Sequence, residues 1–401
     1  MPDPARIAAR LDALWEIAHG PGGGADRPAF SPFEAQAMQL VAGWAREAGL
    51  SPGIDQFGNL WALPAGSTGP VVTAGSHVDT VPDGGRYDGA LGTVLGLELA
   101  LELGDGAGLL ICAAEEAPRF GAGTIGSRLL AGTLAPADLD GFRDAGGVSA
   151  ADAQASYLSA LADLPRCEPA PVRVRAHAEI HVAQRRALRE VGVVSRVAAP
   201  RRLEVVVTGE AGHSGEVSMA ERRDALAAAA QLVLAIEAAA RREAAETVAT
   251  VGTLTVSPGA LSVVPGRATM GIDARSTSAA ALDRLEAAVR SQATSIASAR
   301  GVRADVRLVR GGSPTELDRD LVVSALNAAG RAGVPAVETW SGAGHDAQHL
   351  AALMPTLLLF VPLHGGESHT PFEDAVMDEI LEATSIAADV LGGELHLGRG
   401  S

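Results

Sequence analysis

Lysine is absent from this chain: all 32 of its basic side chains are arginine. A pyridoxal enzyme or Schiff-base aldolase needs a lysine amine, and a P-loop needs the lysine that reaches the phosphates. Those chemistries are excluded, and the glycine-rich stretch at 20–24 reads as a loop instead of a phosphate cradle. Positive charge is scarce as well. The 32 arginines face 48 acidic residues, for a net charge of −16, which argues against nucleic acid as a partner because such binding draws its affinity from neutralising phosphates. The surplus acid reads as a solvated surface that favours solubility. Aromatic residues make up only 3% of the 401, so the core has to rest on Ala, Val and Leu. Two cysteines cannot build a disulfide framework, and Cys112, inside the run LLICAA, reads as a small buried hydrophobe. No uncharged apolar run approaches the ~20 residues of a membrane span, so no membrane partner is expected. The opening segment MPDPARIAARLDALWEIAHG patterns as an amphipathic helix and lacks the apolar stretch of a signal peptide. The expected location is the cytoplasm.

Apolar residues are 47% and charged residues 20%, as in ordinary globular chains, and the length suggests two domains. Short apolar runs alternate with longer helical patterns, which predicts an α/β fold with a mostly parallel sheet and helices on both faces. Strands are expected at 71–74, 109–113, 172–176 and 357–361, with a helix starting near Gly89. Between 196 and 312 the rhythm changes to strand–helix–strand–strand–helix–strand, the order of a small α+β domain of the split βαβ type. The expected organisation is a discontinuous catalytic domain, 1–195 and 313–401, interrupted by an inserted domain at 196–312, with a hinge near Arg196 and Gly312.

Metal-competent side chains collect where the predicted strands end. His77 and Asp79 follow VVTAGS, Asp88 follows in GGRYDGA, and Glu115 and Glu116 follow LLICAA. His181 follows VRVRAHAEI and His369 follows LLLFVPLHGGES. In open parallel sheets, ligands gather outside the carboxyl ends of the strands. Imidazole nitrogen with carboxylate oxygen suits zinc, manganese, cobalt or nickel, and no thiolate is present to close a structural zinc site. Three histidines with two or three carboxylates are too many for one ion that must keep an open position. They suit two ions ~3.5–4 Å apart sharing a carboxylate. The adjacent acids Glu115 and Glu116 suggest divided labour, one binding metal and the other moving protons. His19, His349 and His396 receive no role, His177 reads as core and His364 as loop lining. The string Gly212-His213-Ser214-Gly215 has Glu216 where a nucleophile elbow needs glycine, so a serine hydrolase is not expected.

Taken in order, HVDTVPDGGRYDGALG, EEAPRFG, EIHVAQ, SGAGHDAQ and GESHTPFE resemble the zinc-dependent amidases of the hydantoinase/carbamoylase family. That family includes N-carbamoyl-L-amino-acid hydrolases, β-ureidopropionase and allantoate amidohydrolase, within the wider metallo-aminoacylase and dipeptidase superfamily. The resemblance runs from FSPFEAQAMQLVAGWAREAGL through DQFGNL to the last motif. It implies two divalent ions, zinc first and manganese, cobalt or nickel as alternatives: one held by His77 and His181, the other by Glu116 and His369, with Asp88 bridging. Glu115 would act as general base and Asp79 would orient His77. Two cations would acidify a shared water, Glu115 would take its proton, and the hydroxide would attack an amide or ureido carbonyl. The inserted domain would be lid and homodimer contact. From it His213 would reach a neighbouring active site and stabilise the oxyanion, while Arg275 would clamp a substrate carboxylate. Gln184 and His345 match family residues near the substrate, and Ser262 stands where the family has asparagine.

The chain departs from the family pattern around substrate and lid: Ala183, Arg185 and Arg186 after His181, Gly212 before His213, and Glu216, Val217 and Ser218 after it. None of these replaces an implied metal ligand. The expected function is therefore a dinuclear metal amidohydrolase cleaving a non-peptide C–N bond of a small, carboxylate-bearing substrate, such as an N-carbamoyl-L-amino acid or allantoate. An acylamino-acid hydrolase or dipeptidase is the alternative within the superfamily. A non-catalytic binding protein on the same scaffold would be expected to have lost ligands or the base, and here all remain.

Overall fold

A computed structural model describes residues 2–184, 187–365 and 367–397. In chain order its strands begin with β1 (Leu50–Ile54), β2 (Leu60–Pro64), β3 (Val71–Ala74), β4 (Ala107–Ile111), β5 (Val174–Val182) and β6 (Val191–Val197). There follow β7 (Ala199–Thr208), β8 (Gly212–His213), β9 (Val248–Ser257), β10 (Val263–Val264), β11 (Arg267–Ser276) and β12 (Arg303–Gly311). The last are β13 (Thr315–Glu316), β14 (Ala336–Ser341) and β15 (Thr356–Val361). The chain divides into two compact units, one of residues 1–195 with 316–401 and one of residues 196–315.

The larger unit is built on one sheet in the order β1-β2-β4-β3-β5-β15-β6-β13, with β14 also pairing β6. Its centre, β4-β3-β5-β15, is parallel, while β2 and β6 join it antiparallel on either side. The α/β fold with a mostly parallel sheet expected from the sequence is the fold found. Strands such as AGLLI and TLLLFV are buried along their whole length, as parallel strands covered on both faces must be. Two strand limits differ from expectation. β5 starts at Val174, because Pro171 opens a short 3₁₀ turn, and β4 stops at Ile111, so Cys112 already lies in the loop that carries the acids. Among the described residues no helix is long and apolar enough to cross a membrane.

The helix Ala90–Leu103 is buried on all sides from Ala90 to Ala100, which explains its uniformly apolar sequence. It carries one charge inward. Glu98 has a fully buried side chain and accepts from Arg6 Nε at 2.7 Å, Arg6 Nη2 at 2.6 Å and Arg10 Nη1 at 3.0 Å. Both arginines lie on the first helix, Pro4–Trp15, whose start is capped by the Asp3 carboxylate and by Pro4. The amphipathic pattern read at the N-terminus thus reflects a helix docked on the central one through Ile7, Leu11 and Leu14 and through this triad.

The smaller unit is a four-stranded antiparallel sheet in the order β12-β7-β11-β9, with helices Ala225–Ala240 and Ala279–Arg300 packed on one face. Alternation is clean. In β7 Leu203, Val205 and Val207 point into the core under the helices, and in β11 Ala268, Met270, Ile272 and Ala274 do the same. Among the described residues of this unit, the opposite face carries no helix.

Removing the acid from the Glu98 triad strands two guanidiniums, one of them nearly buried. Glu98→Ala is expected to lower unfolding free energy by about 3 kcal/mol. Arg6→Ala, whose side chain is 38% exposed, should cost about 1 kcal/mol or less. Urea midpoints of the two variants check this, and equal losses would reject the burial argument.

Candidate metal centre

Four parallel strands deliver their ligands at one end of the sheet. His77 follows β3, Glu115 and Glu116 follow β4, His181 is the penultimate residue of β5, and His369 lies in the loop after β15. Asp88 comes from the loop that leads into the helix Ala90–Leu103. A Cβ on Gly89 would collide with the His77 ring, and one on Gly85 with the Glu373 carboxylate, so this loop must be glycine at both places. His369 adopts φ 65° and Ala114, just before Glu115, φ 53°. Left-handed backbone at non-glycine residues is costly and clusters at functional sites.

Asp88 is the centre of the arrangement. Its Oδ1 lies 2.9 Å from His181 Nε2 and 3.7 Å from His77 Nε2, and its Oδ2 lies 3.1 Å from His369 Nε2. Glu116 Oε1 is 3.5 Å from the same nitrogen of His369. Two candidate ligand triples result, His77–Asp88–His181 and Asp88–Glu116–His369, sharing one carboxylate. Glu115 belongs to neither; its Oε2 lies 3.9 Å from His77 Nε2. The remaining nitrogens of two histidines are tied down. Nδ1 of His77 is 3.0 Å from the backbone oxygen of Asp79, and Nδ1 of His181 is 3.0 Å from that of Val182. A carbonyl can only accept, so each Nδ1 carries the proton and each Nε2 is left as a lone-pair donor.

Asp79 does more than face His77. Its carboxylate stands 3.5 Å from His77 Nδ1 and accepts the main-chain N–H groups of Glu115 at 3.0 Å and Glu116 at 2.9 Å. One buried acid thereby aligns a histidine and the two glutamates.

Electrostatics at this end are dominated by burial and crowding. Burial, then repulsion from Asp88, pushes the Glu116 carboxyl up to about 7. Glu115 is raised well above its ordinary range, first by burial and against the pull of His77. Asp88 is held well below the carboxylate range, because His181 and His369 outweigh its burial. His369 is raised to about 9, chiefly by its hydrogen bond to Asp88. Asp79, Asp88, Glu115 and Glu116 are gathered at this end of the sheet, and Arg27, which feels the charge of Asp79, is spent on backbone carbonyls of Val78 and Leu14. A donor set of imidazole nitrogen and carboxylate oxygen with this surplus of negative charge fits divalent cations.

Several residues that sequence reasoning passed over hold the centre in place. Glu373 accepts from the main-chain N–H of Tyr87 at 3.0 Å, of Asp88 at 3.2 Å and of His369 at 3.3 Å, joining two ligand loops. Its only sequence signal is its place in GESHTPFE, four residues after His369. Glu34 accepts from the N–H of Phe30 and, at 2.8 Å, from that of the left-handed Ala114. Glu179 accepts from Ser76 Oγ at 2.8 Å and from the N–H of Ala347 at 2.7 Å. With both oxygens engaged and His181 already turned to Asp88, the set Glu179–His181–His345 is a supporting layer and not a third ligand group.

His345 is buried, its ring edge-on to His181 at 4.8 Å and its Nε2 2.9 Å from Ser341 Oγ. Gln184 is half-buried just beyond β5, and Arg185 and Arg186 lie outside the described residues. His177 is buried against Thr73 Oγ1, and burial lowers it to about 3, in keeping with a core residue. His364 pairs with Glu379 at 2.6 Å.

His213, Ser262 and Arg275 belong to the smaller unit. His213 is exposed on β8, opposite Val263 of β10, and its Nδ1 accepts the N–H of Gly215 at 3.1 Å. The backbone oxygen of Ser262 accepts from Ser214, so Ser262 and His213 share one small ribbon. Arg275, on β11, pairs with Asp273 at 3.1 Å. Two departures from the family pattern meet here: a Cβ on Gly212 would stand 2.7 Å from Val217 Cγ2, so glycine at one place accommodates valine at the other.

Because Glu373 fastens Asp88 and His369 together, Glu373→Ala is expected to weaken zinc affinity 10–100-fold without unfolding the protein. Competition with a chromogenic chelator measures it, and unchanged affinity would remove Glu373 from this role.

The model of peptidase family M20/M25/M40 matches residues 73–392. The chain is 35% identical over 399 residues to N-carbamoyl-L-amino acid amidohydrolase of Geobacillus stearothermophilus, covering 96% of each. It is 31% identical to allantoate amidohydrolase of Escherichia coli K12, again over 96% of both chains. Among solved structures, a hydantoinase/carbamoylase family amidase from Burkholderia multivorans is similar with a TM-score of 0.87, at 31% identity and covering 98% of both chains. The chain belongs to peptidase family M20/M25/M40, in its hydantoinase/carbamoylase amidase branch.

Proposed function

We propose that this protein is an amidohydrolase that cleaves a non-peptide C–N bond, carbamoyl, ureido or a related amide, in a small carboxylate-bearing molecule such as an N-carbamoyl-L-amino acid or allantoate. The observation that carries the reading is the pair of ligand triples sharing Asp88, with Glu115 beside them and outside both. Relatives that are amidohydrolases of N-carbamoyl amino acids and of allantoate supply the substrate class.

Two divalent ions, zinc first with manganese, cobalt or nickel as alternatives, supply Lewis-acid polarisation of the carbonyl and acidification of water when held by these triples. His77 and His181 present Nε2 because their Nδ1 protons are engaged by backbone oxygens. Glu115 is the general base. Its carboxylate lies 3.9 Å from His77 Nε2 and outside both ligand triples, a position from which it can take a proton from the attacking water and return it to the leaving nitrogen. Asp79 keeps Glu115 aimed by gripping its main-chain N–H. From the smaller unit, His213 stabilises the developing oxyanion and Arg275 anchors the substrate carboxylate. Gln184, Ser262 and His345 line the substrate.

The smaller unit also serves as lid and as homodimer contact in this reading, supported by β9, an edge strand of its sheet. A cytoplasmic location belongs to the same reading.

Metal-loaded protein assayed on ureido acids, allantoate, acetylated amino acids and dipeptides tests the reading. Turnover confined to the acetyl or dipeptide forms would replace it with the aminoacylase or dipeptidase alternative. Glu115→Gln is expected to lower kcat by roughly 10²–10⁴-fold with metal content unchanged. His77→Ala should lose both metal and activity, and a fully active variant of either kind would sink the mechanism.

A further inference from the structure

Several exposed arginines of this protein are matched to acid. Arg284 pairs with Glu243 at 2.6 Å, Arg307 with Glu204 at 3.1 Å, Arg319 with Glu338 at 2.8 Å and Arg331 with Asp389 at 2.5 Å. With 48 acids for 32 arginines, composition favours such matching.

The face of the smaller unit's sheet away from its helices holds a row in which arginine outnumbers acid. Arg310 of β12 stands opposite Arg202 of β7, and Arg202 stands opposite Asp273 of β11. Arg275 lies two residues along from Asp273 and on the same face, since alternate strand residues share a face. The acid of that row is engaged: Asp273 Oδ2 accepts from Arg275 Nε at 3.2 Å and Nη2 at 3.1 Å. Arg202 Nε approaches its other oxygen only to 3.8 Å. Arg202 and Arg310 therefore place two positive charges side by side, with no carboxylate among the described residues in hydrogen-bonding reach of either. Like charges directly opposite on neighbouring strands are destabilising. Arg310 is half-buried besides. Burial first, then the charges of Arg202 and Arg275, push its guanidinium below the usual range, and Asp273 opposes them only in part. An anion held between the two guanidiniums would offset that repulsion.

We propose that Arg202 and Arg310 form a subsite for the second acidic group of a dicarboxylic substrate, so that the preferred substrates are carbamoyl or related derivatives of acidic amino acids. The inference rests on the reading that Arg275 anchors the first carboxylate. Two residue steps along β11 separate Arg275 from the row containing Arg202, roughly 7 Å of backbone, which long arginine side chains span from either end. Guanidinium forks suit carboxylates in planar, paired contacts, and two of them on one carboxylate offset the repulsion between them.

Isosteric pairs decide the matter. N-carbamoyl-L-aspartate is compared with N-carbamoyl-L-asparagine, and N-carbamoyl-L-glutamate with N-carbamoyl-L-glutamine, on the metal-loaded protein. The acidic member is expected to be favoured in kcat/KM by about tenfold or more, with the ratio shrinking as salt rises. Arg202→Gln and Arg310→Gln should each bring the ratio toward one, while Arg310→Lys keeps part of it. Equal turnover within each pair, or a ratio that survives in both glutamine variants, overturns the inference and leaves the proposed function standing. Should none of the four be hydrolysed, the carbamoyl reading fails, and calorimetry with glutarate against its monoamide still judges the subsite. Tighter glutarate binding that is lost in Arg310→Gln upholds it; equal binding overturns it.

Discussion

The way one carboxylate is divided between two groups of ligands governs the rest of the centre. Asp88 turns Oδ1 to His77 and His181 and Oδ2 to His369, so a rotation that improves one contact spoils another. The plane of that carboxylate has to be fixed by its own backbone. Gly85 and Gly89 let the loop approach Glu373 and His77 more closely than any side chain would permit, and Glu373 takes the N–H groups of Tyr87 and Asp88. The same carboxylate reaches the N–H of His369, which is why a left-handed histidine is tolerated there. Strain at one ligand is offset by a hydrogen bond from the residue that aligns another.

This use of acids recurs around the site. Asp79, Glu34, Glu179 and Glu373 are buried, and each accepts main-chain N–H groups from a segment distant in sequence. Loops at strand ends have main-chain donors with no ladder to join, and buried donors left unpaired are costly. A carboxylate can satisfy two or three at once. Burial also raises Glu34 strongly and Glu373 to about 7, so the support is bound up with the charge balance of the centre it supports. Arginine contributes in the complementary sense: Arg27, almost fully buried, donates to the carbonyls of Val78 and Leu14 and fastens the His77 loop from below.

Much of this was legible in the sequence for a simple reason. A parallel strand buried on both faces is a short apolar run, and the first polar residues after it lie at the end where ligands collect, so His77, Glu115, Glu116, His181 and His369 announced themselves by position. Asp88 needed only the glycines around it. The alternation of β7 and β11 likewise marked the smaller sheet before its partners were known. What stayed hidden were acids whose partners are backbone groups far along the chain. Glu34, three residues after Ser31, reads as an ordinary helix cap, and it does sit in one, yet its carboxylate also reaches Ala114. Glu179 reads as one polar residue in a strand, and Glu373 as a surface acid after proline. No local pattern distinguishes an acid that holds a remote loop from one that faces water.

The departures from the family pattern fall in two places: Ala183, Arg185 and Arg186 follow His181 in the larger unit, and the rest lie in the smaller unit. Every implied metal ligand is held by backbone interactions inside the larger unit, through Asp79, Glu373, Val182 and their partners. The replacements at Gly212, Glu216, Val217, Ser218 and Ser262 lie in a short ribbon of the smaller unit, where Val217 uses the space that glycine at 212 leaves open. A substitution in that ribbon breaks none of the hydrogen bonds that align Asp88. In the proposed reading, ligand alignment rests on hydrogen bonds inside the larger unit, while His213, Ser262 and Arg275 of the smaller unit share substrate recognition with Gln184 and His345. Under the proposal, Arg202 and Arg310, opposite one another on the face of the smaller unit's sheet away from its helices, with Asp273 engaged by Arg275, would alter what is bound without breaking any hydrogen bond that aligns the ligands.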